Sequence, residues 1–124
     1  MSVWVWLALA GAGAAGAVLR YTVDAAIASR SSVVLPLGTL VINLTGSLVL
    51  GAVTGLALFH AFPATPKLLI GTGACGAYTT FSTMAFESVV LARGGGRLPA
   101  VVNVGANVVG SCLAAAAGLA LAAV

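Results

Sequence analysis

Four stretches without a single charged side chain constrain this chain more than any other feature. They run from Val3 to Leu19, from Ser31 to Phe59, from Leu68 to Phe86 and from Leu98 to Val124. A helix needs about 20 apolar residues to cross a bilayer core of about 30 Å. The stretches therefore predict four transmembrane helices, at about 3–28, 34–60, 67–92 and 98–122. In lipid every backbone polar group must find a partner inside the protein, which leaves helices and closed barrels. The apolar runs lack the period-2 alternation of barrel strands, so the expected fold is all-α.

Composition excludes the other classes. Charged residues make up 6% of the 124 positions, against about 25% in an ordinary soluble domain. A net charge of +3 spread over so few residues cannot track phosphates, so no nucleic-acid partner is expected. The segment Ser2–Leu19 has no basic start, and its small residues Gly11–Ala17 are too diffuse for a cleavage site. It reads as the first span rather than a signal peptide. Cys75 and Cys112 both fall inside spans and read as small apolar side chains. With only short loops, Ala61–Pro66 and Arg93–Arg97 among them, the chain reads as one transmembrane domain over 1–124. Arg30, Arg93 and Arg97 lie on one side and Lys67 near the other. The positive-inside rule would place loops one and three in the cytoplasm, though with few charges to decide it.

Polar residues inside a span are expensive and face protein or water. In helix two, Thr39, Asn43, Gly46, Ser47, Gly51 and Thr54 share one face, and in helix four so do Asn103, Asn107, Gly110, Ser111, Ala114 and Gly118. Small residues on such a face let helices approach closely, and Asn or Ser can bond across the contact. A mid-membrane carboxamide such as Asn43 reads equally as a cross-helix contact or as the lining of a hydrated path. Helix three carries Gly71-Thr-Gly-Ala-Cys-Gly-Ala-Tyr-Thr-Thr-Phe-Ser-Thr-Met84, where glycines and hydroxyls crowd the middle of a span. Either the hydroxyls bond back to an intact helix, or the helix breaks near Gly76–Thr80 and exposes groups that bind ions. Arg20 and Asp24 are four apart on helix one. They read as an interfacial pair or as part of a water-filled vestibule. Glu87, His60, Lys67, Arg93 and Arg97 read as ordinary interfacial groups.

Three segments carry a resemblance. Gly11-Ala-Gly-Ala-Ala-Gly-Ala-Val-Leu-Arg20-Tyr21, Gly38-Thr-Leu-Val-Ile-Asn43-Leu-Thr-Gly46 and Gly76-Ala-Tyr-Thr-Thr-Phe81-Ser-Thr occur in an order and at spacings similar to the CrcB/Fluc family of fluoride channels. The Thr-Thr-Phe-Ser-Thr run is the most specific of them. The resemblance implies a multi-pass protein of the cell's inner (plasma) membrane that lets fluoride out passively and so protects the cell. It implies an antiparallel, dual-topology homodimer with a broken third helix. It also implies a structural sodium ion at the dimer centre, held by the backbone carbonyls of Gly76 and Thr79. Because those ligands are backbone, a side-chain change at Thr79 is expected to matter less than one at Gly76, where glycine's conformational freedom would count. Asn43 would donate its amide N–H to fluoride and Phe81 would offer its ring edge. Ser82, Thr83 and Thr39 would lie along the path, with Arg20 in the vestibule. The family usually has a second phenylalanine three residues after the first, and here that position is Met84, which lacks a ring edge.

Two rivals remain on residues alone. A small four-helix multidrug exporter would need a carboxylate deep in a span, and Asp24 and Glu87 lie near predicted span ends. A non-transporting assembly subunit would need neither Asn43 nor the hydroxyl-rich segment. No enzyme is expected, since a single His and no mid-span carboxylate pair offer little to catalyse with.

Overall fold

A computed structural model describes residues 2–124. Helix α1 spans Val3–Ala28, α2 spans Leu37–Phe59 and α5 spans Arg97–Leu121. All three are long and apolar enough to cross a membrane. The remaining crossing is built from two half-length helices. The first, α3, covers 64–78 and joins a turn at Ala64–Lys67, a wider π-helical stretch over Leu68–Cys75 and a last turn at Gly76–Tyr78. The second, α4, spans Phe81–Gly94. The helices fall where the four uncharged stretches lie, with two differences at their starts. Helix two begins at Leu37 rather than 34, with Pro36 at its N-cap, because the proline ring disfavours helical backbone in the residue before it. Helix three starts earlier than 67, with Pro63 at its N-cap.

The molecule packs in pairs. Helix α5 lies along α2, α1 lies along α3, and α4 rests on α5. Helices α2 and α5 run parallel. Asn43 meets Asn107, Gly51 faces Ala115 and Gly55 faces Leu119, all at one register. Glycine sets their distance. A Cβ on Gly51 would overlap the Ala115 carbonyl, and one on Gly118 would overlap the Leu48 carbonyl. At the far end His60 Nε2 lies 2.8 Å from the Ala122 carbonyl and ties the two C-termini. Gly16 plays the same part between α1 and α3, where a Cβ would run into the Ala74 carbonyl. In lipid no hydrophobic force drives helices together, so close backbone approach and polar bonds must do so.

The interior is correspondingly polar. Its buried apolar side chains are Ile42, Val53, Cys75, Met84, Leu91 and Ala122, and its buried polar ones are Thr39, Asn43, Thr80, Ser88, Asn103 and Asn107. The outward-facing surface carries Trp4, Trp6, Leu7, Val18, Leu58, Phe86, Val109 and Leu113. That inversion is expected of a protein whose surroundings are hydrocarbon.

Candidate functional site: the break in the third span

The break falls at Thr79 and Thr80. Both have extended backbone, with φ −75° and ψ 157° at Thr79 and φ −149° and ψ 120° at Thr80. Gly76 itself is helical, with φ −63° and ψ −34°. A Cβ there would meet nothing nearer than the Gly71 carbonyl at 3.9 Å. The expectation that Gly76 is needed for its conformational freedom is thus not met within one chain.

Side chains take over where the helical hydrogen bonds stop. The Thr80 N–H, which would have closed on the Gly76 carbonyl, donates instead to Asn43 Oδ1 at 2.8 Å. Asn43 Nδ2 donates back to the Thr80 carbonyl at 3.0 Å. The Thr83 N–H, which would have closed on the Thr79 carbonyl, donates to Thr80 Oγ1 at 3.2 Å. Thr80 is therefore both the last residue of the break and the N-cap of α4. The carbonyls of Gly76 and Thr79 lose the amides that an unbroken helix would have given them.

Two recesses flank this point, and Thr80 lines both. The larger, about 300 Å³, is lined by Asn43, Ser47, Thr79, Phe81, Met84 and Ser111 among others. The smaller, about 180 Å³, is lined by Arg20, Asp24, Thr39 and Thr83 among others. Of the sequence-predicted pathway residues, Asn43, Phe81 and Met84 line the larger recess and Thr39 and Thr83 the smaller, on two faces of the break, while Ser82 lines neither and is exposed, 3.3 Å from Thr80 Oγ1. Phe81 is 76% exposed on the outside of the chain, whereas Met84 is only 4% exposed. Ser88 Oγ donates to the Met84 carbonyl at 2.8 Å, one turn further along the same helix.

Several predicted donors are already engaged. Both Asn43 amide hydrogens are taken, one by Thr80 and one by Asn107 Oδ1 at 2.9 Å. The Thr39 hydroxyl donates to Glu87 Oε1 at 2.8 Å. Thr80 Oγ1 donates to Thr83 Oγ1 at 2.9 Å, which leaves the Thr83 hydroxyl hydrogen free to point into the smaller recess.

Glu87 corrects one reading. It is not a plain interfacial group, because Thr39 on α2 holds one carboxylate oxygen and the other is buried without a partner. Helix α4 starts only six residues earlier, and its inward side turns Glu87 toward α2. Asp24 lies against Gly38 in the first turn of α2, where the positive end of the helix dipole favours a carboxylate. Arg20 therefore shares its recess with the Asp24 carboxyl group. Ser47, Ser111 and Asn107 also line the larger recess, beyond the pathway residues that the resemblance implies. Their three- and four-residue spacing is visible in the sequence, but it reads as packing until the partner helix is known.

The family described as CrcB-like protein, Camphor Resistance (CrcB), matches residues 7–119. The chain belongs to the CrcB family. Relatives are found in bacteria and archaea. A protein of Frankia casuarinae named fluoride-specific ion channel FluC 1 is 45% identical over 122 residues, covering 94% of this chain and 95% of its own. One of Cutibacterium acnes named FluC 2 is 47% identical over 118 residues, covering 94% of each. One of Methanocaldococcus jannaschii named FluC is 45% identical over 98 residues, covering 79% of this chain and 77% of its own. Membership of the CrcB family displaces both the exporter and the assembly-subunit readings, and with them any enzyme.

Proposed function

We infer that this CrcB chain is a fluoride-selective channel that lets the ion leave the cell down its gradient. Beyond family membership, one observation carries the reading: the broken span opens onto recesses lined by hydroxyls, carboxamides and the Phe81 ring. Fluoride is small and strongly hydrated. A path must replace its water with donors, yet hold it weakly enough to release it. Thr83 offers a free hydroxyl hydrogen, Ser82 an exposed hydroxyl and Phe81 the positive edge of its ring. Asn43 reaches fluoride with an N–H only if its bond to Thr80 or to Asn107 opens. Thr39 likewise must leave Glu87. Arg20 draws anions toward the smaller recess, with Asp24 tempering the field. Met84 shapes the path from inside the chain, without a ring to offer.

The functional unit in this reading is an antiparallel homodimer in the plasma membrane. Both recesses open at the surface of a single chain, so a second chain is needed to wall the path from lipid. Gly76 is exposed and Thr79 half-buried at that same surface. Their carbonyls, released from helical bonding, are the oxygen donors that a sodium ion at the dimer centre requires. Bound there, the ion supplies positive charge that offsets the carbonyl dipoles of the crossing breaks. In this chain Asn43 and Thr80 do the rest: they keep the competing amides away from those carbonyls.

Purified protein in liposomes tests the function. Under a potassium/valinomycin potential, fluoride leaves rapidly and chloride does not. Comparable chloride release removes the claim of selectivity. Topology is read separately, from single cysteines at Ser31 and Thr65 in a background lacking Cys75 and Cys112. Labelling of each site from both sides of the membrane supports the antiparallel arrangement. Labelling from one side only requires a partner chain of opposite orientation.

A further inference from the structure

Asn43, Asn103 and Asn107 are the chain's three asparagines, and it has no glutamine. All three carboxamides lie on one buried line of hydrogen bonds. The line starts at the Thr80 backbone, which Asn43 holds through both its N–H and its carbonyl. The second Asn43 amide hydrogen goes to Asn107 Oδ1 at 2.9 Å. Asn107 Nδ2 donates to the Asn103 carbonyl at 3.0 Å and to Asn103 Oδ1 at 3.2 Å. Asn103 Nδ2 donates to Ser88 Oγ at 2.9 Å, and Ser88 Oγ donates to the Met84 carbonyl. The line thus begins and ends on the third span, passing through α2 and α5 between.

Its polarity is fixed from the far end. Ser88 donates its hydrogen to a backbone carbonyl, so its oxygen can only accept, and Asn103 must turn Nδ2 toward it. That leaves Asn103 Oδ1 facing Asn107, beside the Asn103 backbone carbonyl, and the two acceptors together turn Asn107 Nδ2 that way and present its Oδ1 to Asn43. A carboxamide has two donors and one acceptor oxygen, so each choice dictates the next. Asn43 accordingly turns Nδ2 toward Asn107, and its Oδ1 faces the Thr80 N–H. A flipped Asn43 would set its Nδ2 against that N–H, donor against donor, and the break would lose its clamp.

We propose that Asn103 and Asn107 are positioning residues that set the orientation of the Asn43 carboxamide and so hold the helix break in its extended form. Neither has to touch the permeating ion. Asn103 lies beyond the larger recess, and it acts on Asn43 only through Asn107. The inference rests on reading the break as the anion path, but its readout does not.

The three side-chain amides can be followed one by one, because no glutamine signals overlap them. In ¹⁵N-labelled full-length protein in detergent micelles they give three pairs of amide cross-peaks, assigned by substitution. In Asn103→Leu the Asn43 pair is expected to move. Its hydrogens should exchange with water about tenfold faster, the factor that corresponds to one lost hydrogen bond of ordinary strength. Fluoride efflux from liposomes should fall several-fold in the same variant. Asn103→Thr keeps a hydroxyl that can accept from Asn107, and should restore most of both. A lower melting temperature with the Asn43 pair unmoved makes Asn103 a packing residue and overturns the proposal. Should Asn103→Leu fail to assemble, Asn103→Ala decides in its place: it removes the same side-chain bonds without adding bulk, and an Asn43 pair with no shift there likewise overturns the proposal. Wild-type liposomes that pass no fluoride would instead count against the channel reading and leave the amide signals to judge the ladder.

Discussion

The α2–α5 seam and the break in the third span solve the same problem in opposite ways. Each must hold two pieces of helix together in a solvent that gives no hydrophobic help. The seam does it by leaving side chains out: Gly51 and Gly118 bring backbone against backbone. The break does it by putting side chains in: Asn43 and Thr80 replace the hydrogen bonds that the helix gave up. Where glycine sets it, such a seam offers no side-chain donor or acceptor. A break of this kind leaves carbonyls and hydroxyls free, and such groups can meet an ion.

The difference is sharpest if the two regions fail differently. The largest effect is expected at the seam. Gly118→Val forces a branched side chain into the Leu48 carbonyl and the Ala52 amide, where backbone cannot yield. Overpacking costs about 1–3 kcal/mol even in tolerant cores, and here no monodisperse protein should survive size-exclusion chromatography. A well-folded Gly118→Val would mean the seam is looser than its geometry.

Next comes Asn43→Asp, at the break. The protein should still purify as a folded species. Fluoride efflux should drop by about 100-fold or more, since a fixed negative charge in a low-dielectric path repels the permeating anion. Asp also has no N–H for the Thr80 carbonyl or Asn107. Undiminished efflux would put Asn43 off the path.

Thr80→Ala should be milder. It removes the N-cap of α4 and its bond from the Thr83 N–H. A lost cap costs about 1 kcal/mol, seen as a melting temperature lower by about 5 °C. An unchanged melting temperature would show that α4 is held by α5 alone.

The smallest effect on the single chain belongs to Gly76→Ala. Its φ is helical and its surroundings open, so fold stability should change by no more than about 0.5 kcal/mol. A strong loss of fluoride efflux with an unchanged melting temperature would locate the need for glycine at the contact with a second chain. A large loss of stability would contradict the open space around it.

Much of this protein is legible in the order of its residues. The uncharged runs mark four spans, because lipid tolerates few charges and enforces helix wherever the chain crosses. The i, i+3 and i+4 recurrence puts Asn43 and Gly51 on one face of helix two, and Asn107 and Gly118 on one face of helix four, because helical pitch alone decides that. The glycine and hydroxyl run of helix three marks a weak point to within a few residues. What only the tertiary structure decided was pairing. Nothing in the sequence says that Asn43 faces Asn107, since one lies on α2 and the other on α5, 64 residues apart. Nor does it say that Thr39 is held by Glu87, or that Phe81 turns outward while Met84 turns in. A helix's own sequence fixes which side chains share a face. Which groups that face meets depends on how the other helices pack around it, and that packing determines which donors stay free for an ion.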